Sequence, residues 1–219
     1  MEQVLNNDIN FNLSFGYYKK DLLFGMAKFI IYAGKKYLVL GEPSCGKTTL
    51  LEIFAGLNKN WQGEANGKAP KDFKMGDSVS FLPSSPVLFE NKSVYKNIEY
   101  AFKVLKIKKP YEADIKELLN KFGLDGKEKI KVKKLCYIDR LKTCLARSYL
   151  KNANVLLVDD LFKNATTEEE IESIWHAFNL LDLGNKTLIM VLNKEIKPQI
   201  DFDYTLKIDG KKIVEENNK

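Results

Sequence analysis

The chain has 219 residues, 45% of them hydrophobic, which is enough to bury one sizeable core without disulfides or metal ions as staples. No apolar run reaches the roughly 18 residues that a membrane span needs, and the opening MEQVLNNDIN has neither the basic region nor the apolar stretch of a signal peptide, so a cytoplasmic chain is expected. The net charge is +6, yet 33 of the 35 basic residues are Lys and only Arg140 and Arg147 are Arg. Base readout and bidentate phosphate grips favour Arg, so scattered Lys reads as a solvated face and no nucleic-acid partner is expected. The three cysteines, Cys45, Cys136 and Cys144, form no C-x-x-C pair and leave one over after any disulfide, so free thiols are expected.

In chain order, INFNLSFGYY and LLFGMAKFIIY read as strands of an antiparallel layer, and KKYLVLG as a buried strand led in by Gly34. TTLLEIFAGL has helical apolar spacing. WQGEANGKAP follows, with Asn66-Gly67 as a hairpin-turn signal. SVSFLP is a short strand, after which SVYKNIEYAFKVLK and EADIKELLNKFG read as two helices joined through Lys109-Pro110, an insertion in the pattern. LKTCLARSYLKN is helical, NVLLVDD is a buried strand ending in two carboxylates, EEEIESIWHAFNLL is a helix, and KTLIMVL is another strand. DYTLKIDGKKIVEE closes as a hairpin around Asp209-Gly210. Strands alternating with helices predict an α/β fold in which a mostly parallel sheet is flanked by helices.

One stretch carries chemistry directly. GEPSCGKT, from Gly41 to Thr48, satisfies G-x-x-x-x-G-K-[ST] between a predicted strand and a predicted helix, the context in which that pattern binds a nucleotide. Backbone N–H groups from Gly41, Ser44, Cys45, Gly46, Lys47, Thr48 and Thr49 and the helix N-terminus are expected to cradle phosphates. Lys47 would reach the β and γ groups, and Thr48 would hold Mg²⁺. Asp159, at the end of VLLVD, is the expected second magnesium ligand, although a strand-end Asp taken alone is as readily a cap for the next helix.

Taken together, these stretches resemble the ATP-binding subunit of an ABC transporter over nearly the whole chain. LSFGYYKKDLLF resembles the front strand whose aromatic stacks on adenine, here Tyr17. AGLNKNWQGEANGK resembles the segment after the first helix, and SVYKNIEYAFKVLK the opening of the helical subdomain. LKTCLARSYLKNANVLLVDD resembles the signature helix running into the magnesium strand, and YTLKIDGKKIVE the closing hairpin. The resemblance implies one domain over 1–219: a P-loop NTPase core with an antiparallel β front layer at 1–85 and 152–219, and an inserted helical subdomain at 86–151. It implies ATP and Mg²⁺ as cofactors, a transmembrane transporter subunit and a second ATP-binding subunit as partners, and a place on the cytoplasmic face of a membrane.

The same comparison exposes departures. Ser84 stands where the family has a glutamine, and it is too short for the same reach. Leu135, Cys136, Tyr137, Ile138 and Asp139 stand where the family has Leu-Ser-Gly-Gly-Gln; Tyr137 and Ile138 would obstruct close approach of a partner's ATP, and Asp139 would turn a negative charge toward it. Asp160 replaces the catalytic glutamate one methylene shorter, and Asn193 replaces the switch histidine with a group that donates a hydrogen bond but cannot take up a proton or a positive charge. LFKNAT lacks the family's loop aspartate. Impaired or slow hydrolysis is therefore expected, with a competent slow ATPase or a soluble regulatory relative as rival readings. NKEI at 193–196 lacks the final aspartate of the GTPase base-reading motif, and His176 beside Trp175 reads as an ordinary helix residue.

Overall fold

A computed structural model describes residues 8–18, 21–73, 75, 78–108, 110–193 and 195–218. The chain forms two compact units, one of residues 1–81, 154–160 and 183–219 and the other of residues 82–153 and 161–182.

The first unit contains two sheets. β1 (Ile9–Tyr18), β2 (Asp21–Ile31) and β4 (Gln62–Ala65) form an antiparallel layer in the order β2-β1-β4, with Phe11 opposite both Phe29 and Ala65. Alternation decides its faces: Phe11, Leu13, Phe15, Ala27, Phe29 and Ile31 are buried, whereas Asn12 and Lys28 between them are not. The sequence reading of a hairpin at Asn66-Gly67 is half right. Both residues have positive φ, 49° and 72°, and the turn closes through Ala65 and Lys68, but among the described residues it continues only as that single bridge, and β4 pairs with β1 at the edge of the layer.

The second sheet has six strands in the order β5-β6-β7-β3-β8-β9, namely β5 (Val79–Leu82), β6 (Val155–Val158), β7 (Thr187–Val191), β3 (Lys36–Gly41), β8 (Tyr204–Asp209) and β9 (Lys212–Asn217). The pairs β6–β7, β7–β3 and β3–β8 are parallel and the closing pair β8–β9 is antiparallel. Helix α1 (Lys47–Phe54) packs on β3, β6 and β7, and Leu50, Leu51, Ile53 and Phe54 are fully buried beneath it. Phe11, Phe29, Phe54 and Phe73 meet with ring centroids 4.9 to 6.1 Å apart and join the antiparallel layer to α1. Each such ring contributes roughly 1.5–3 kcal/mol of burial.

The second unit is helical: α2 (Val94–Val104), α3 (Glu112–Lys121), α4 (Tyr137–Lys151) and α5 (Glu168–Asn179), with a 3₁₀ turn at Val132–Lys134. Ser93 caps α2 and Thr167 caps α5 through their hydroxyls. Asn97 is fully buried and spends its amide on Phe89 and Ser93, accepting from Phe89 N at 2.8 Å and donating to both carbonyls. α4 starts at Tyr137, ahead of the LKTCLARSYLKN stretch, so Tyr137 to Arg140 form its first turn. Among the described residues, no helix is long and apolar enough to cross a membrane.

One half-buried carboxylate gives the first unit a pH dependence. Glu215 accepts from Ile30 N at 3.3 Å while its other oxygen is buried with no partner, and burial holds its pKa above the usual carboxylate range. A raised folded-state pKa favours the protonated form, so this contribution to stability is complete below the ordinary value of 4.5 and is lost as pH rises through the folded value. Glu215→Gln keeps an acceptor for Ile30 and removes the ionisation penalty. Its thermal midpoint should exceed that of the wild type at neutral pH, with the gap closing toward about pH 4; a gap that is constant with pH contradicts the assignment.

Candidate functional site

The parallel strands β6, β7 and β3 are neighbours in that order, so the residues that follow their C-terminal ends gather at one edge of the sheet, where open α/β sheets bind ligands. After β3 comes the loop from Gly41. A Cβ on Gly41 would lie 2.5 Å from Cys45 Sγ and 2.8 Å from the Ile208 carbonyl, so no larger residue fits without moving backbone. Ser44 and Gly46 have φ of 62° and 104°, left-handed values that reverse the chain sharply into α1.

Gly46 is the N-cap of α1. No side chain caps this end and no acidic residue lies in the first turn. A helix start of this kind leaves its first N–H groups for a ligand, and the helix dipole favours an anion. The loop residues Gly41, Ser44, Cys45, Gly46, Lys47 and Thr48 therefore surround one helix N-terminus. Thr49 adds its backbone only, since its side chain is buried in the fold.

The Lys47 ammonium donates to the carbonyls of Gly41 at 2.7 Å and Glu42 at 2.9 Å, folded back over its own loop. Cys45 Sγ lies 4.0 Å from the same nitrogen. Thr48 Oγ1 donates to Asp159, 3.0 and 3.2 Å from its two oxygens, and Asp159 is only 3% exposed. This contact joins the first turn of α1 to the end of β6, although β7 separates β6 from β3. A hydroxyl beside a carboxylate is a pair of hard oxygen donors that suits Mg²⁺, which takes its remaining ligands from phosphate and water. Among the described residues no group of three or more His, Cys, Asp or Glu is placed to hold a metal ion.

The next residue, Asp160, has φ of 27°, a left-handed conformation that costs a residue with a Cβ about 1–3 kcal/mol. Asn193 is exposed just beyond β7, where its carbonyl accepts from Ile196 N. Ser84 lies in the second unit. Tyr17 is on β1, but its side chain lies outside the described residues.

In the second unit, the α4 N-terminus departs from the sequence reading at Asp139, and Tyr137 makes contacts that the sequence reading did not include. Asp139 does not turn a charge outward: it is 8% exposed and pairs with Lys127 at 2.5 Å, a partner twelve positions earlier that no periodicity signals. Its carboxylate is neutralised and also lies in the first turn of α4, where a negative charge is favourable. The Tyr137 hydroxyl points into the unit, 2.8 Å from the Leu161 carbonyl and 3.3 Å from the Ser84 carbonyl. The α4 start therefore links the segment after β5 to the segment after Asp160, a role that sequence alone did not reveal. The three cysteines are free thiols, as composition implied, and burial pushes the Cys144 thiol pKa up.

Residues 25–163 match the ABC transporter family. The chain is 30% identical over 154 residues to a molybdate/tungstate import ATP-binding protein of Thermococcus kodakarensis, covering 68% of this chain and 44% of that protein. Two aliphatic sulfonates import ATP-binding proteins of Bacillus cereus are each 31% identical, over 154 and 202 residues, covering 67% and 86% of this chain and 60% and 76% of those proteins. The first two matches thus span less than two thirds of their relatives' length. Among solved structures, cbiO1 of Clostridium perfringens, part of the ABC transporter complex cbiONQ, shares the fold at a TM-score of 0.74 and 18% identity, covering 97% of this chain and 88% of that one. An ATP-binding subunit of an ABC transporter does so at 0.75 and 17%, covering 96% and 90%.

The Tyr137 contacts can be weighed directly. Tyr137→Phe keeps the ring and removes the donor, and should cost about 1 kcal/mol of stability, read as a lower urea midpoint followed by the fluorescence of buried Trp175. An unchanged midpoint would show that neither carbonyl depends on the hydroxyl.

Proposed function

The chain belongs to the ABC transporter family as an ATP-binding domain, and from that premise we propose that it is a Mg-ATP-binding subunit. It works head to tail with a second ATP-binding subunit on a transmembrane partner, at the cytoplasmic face of a membrane, with hydrolysis impaired or slow. The domain is 1–219, its core at 1–85 and 152–219 and its helical subdomain at 86–151. The observation that carries the reading is the Thr48–Asp159 contact, which sets a hydroxyl and a buried carboxylate beside an uncapped helix N-terminus.

Each residue then has a physical task. The loop from Gly41 to Thr48 and the α1 amides bind the phosphates, and Lys47 exchanges its two loop carbonyls for phosphate oxygens. Thr48 and Asp159 would hold a magnesium ion, which would supply neutralisation of phosphate charge. Tyr17 supplies the adenine contact. Asp160 orients a water as general base, Asn193 offers a hydrogen bond in place of a cationic histidine, and Ser84 stands in for a longer glutamine. A displacement of about 1 Å in a positioned group can cost on the order of a hundredfold, so the shorter reach of Asp160 favours retention of ATP over turnover. Tyr137, with its hydroxyl engaged inside the chain, further supports a helix end not shaped to receive a partner's phosphate. The rival reading, a competent slow ATPase, draws on the carboxylate that Asp160 retains. A soluble regulatory relative is the third.

Substoichiometric labelled ATP with Mg²⁺ should be retained largely unhydrolysed over hours, and Lys47→Ala should abolish retention. Steady conversion to ADP by the wild type would favour the competent enzyme, and no retention by either protein would overturn nucleotide binding. If the length of the acid limits turnover, Asp160→Glu should raise the hydrolysis rate about tenfold or more, with ATP affinity little changed.

A further inference from the structure

Basic charge is concentrated in one part of the chain. Residues 82–153 hold 17 Lys and Arg against 8 Asp and Glu, a net of +9, while the other 147 residues hold 18 against 21, a net of −3. Within the helical unit, the segment 128–133 runs antiparallel beside 90–95, tied by Val94 N to the Ile130 carbonyl, Tyr95 N to Glu128, Val132 N to Lys92 and Lys133 N to Glu90, at 3.0 to 3.3 Å. Lys131 faces Ser93 across this ribbon.

The pairing gathers Lys92, Lys129, Lys131, Lys133 and Lys134, all exposed, onto one short, hydrogen-bonded ribbon. Among the described residues none of the five forms an ion pair. Of the acids in the ribbon, Glu90 is held by Arg140, and Glu128 accepts from Gly126 N at 3.0 Å with Lys129 among the cations near it. Lys131 pairs with Ser93 in a single bridge, Lys129 lies in the turn before it, and Lys133 and Lys134 lie in the 3₁₀ turn after it, so like charges are crowded into a short stretch of chain and an anionic surface relieves their repulsion. Ile130, 36% exposed, places an apolar side chain among them.

We propose that this lysine ribbon, Lys92 with Lys129 to Lys134, is a contact surface for the anionic headgroups of a phospholipid leaflet. Its composition is that of a diffuse, point-charge contact, with no Arg fork for bidentate phosphate recognition. A membrane rather than RNA is the occupant because the ribbon pairs its charge with an exposed aliphatic residue. The proposal rests on the reading that the chain serves a membrane partner, but lipid contact itself needs neither ATP nor that partner.

The test is co-sedimentation of the full chain with vesicles of phosphatidylcholine alone or mixed with phosphatidylglycerol. Binding should require phosphatidylglycerol and disappear at about 1 M salt, where the Debye length falls to about 3 Å. Changing Lys129, Lys131, Lys133 and Lys134 to Gln should weaken binding on the order of several hundredfold, roughly fivefold per charge. A control with Lys68, Lys71, Lys211 and Lys212 changed to Gln, exposed residues of the other unit, has the same net charge and should bind nearly as the wild type does.

No binding to anionic vesicles, equal loss in both variants, or binding to polyuridylate without binding to vesicles would each overturn the proposal. The salt series on the unaltered chain does so independently of whether a variant folds. Lys47→Ala should bind vesicles as the wild type does, so loss of ATP retention with vesicle binding intact counts against the nucleotide reading alone, and the reverse result against the lipid surface alone.

Discussion

The start of α1 is the constraint around which the first unit is built. A helix that begins at a left-handed glycine with no side-chain cap leaves its first amides unpaired by the helix itself. Such an end is stable when held rigidly and open to an anion. Buried β3 provides the rigidity on one side, Gly41 lets the loop fold tightly against the Ile208 carbonyl, and Asp159 fixes the first turn through Thr48. The aromatic cluster of Phe11, Phe29, Phe54 and Phe73 anchors the other end of α1 in the core. Lys47, held by two loop carbonyls, keeps its charge satisfied without leaving the site.

The start of α4 shows the opposite use of the same element. This helix end also lacks a side-chain cap, but the chain fills its surroundings with its own groups. Asp139 is closed off by Lys127, Arg140 is spent on Glu90, and the Tyr137 hydroxyl is given to two carbonyls of its own unit. Tyr137 thereby ties together segments that lie far apart in sequence.

Electrostatics divides the chain as clearly as packing does. The positive surplus lies in residues 82–153, whereas the remainder is slightly acidic. Much of that surplus is spread over separate helices, but the paired segments 90–95 and 128–134 bring five lysines close together. A net charge of +6 averaged over the chain conceals this, which is why the sum alone indicated only a solvated face.

Elements dominated by local physics were legible in advance. The alternation in β1 and β2, the apolar runs of β3, β6 and β7, the Asp209-Gly210 turn and the phosphate loop each depend on spacing within a dozen residues, so the α/β class and nucleotide chemistry could be read from the sequence. The pairing of β4 with β1 was not legible, because it joins segments that lie far apart in sequence. Nor were the partner of Asp139, the inward turn of Tyr137, or the gathering of lysines beside Ser93. Sequence determined which residues can form strands, turns and an anion-binding helix start, since those properties reside in each residue's own backbone preferences and its near neighbours. Tertiary structure alone decided which charges are neutralised and which remain exposed, because Coulomb energy and hydrogen bonding depend on distances between segments that only folding brings together.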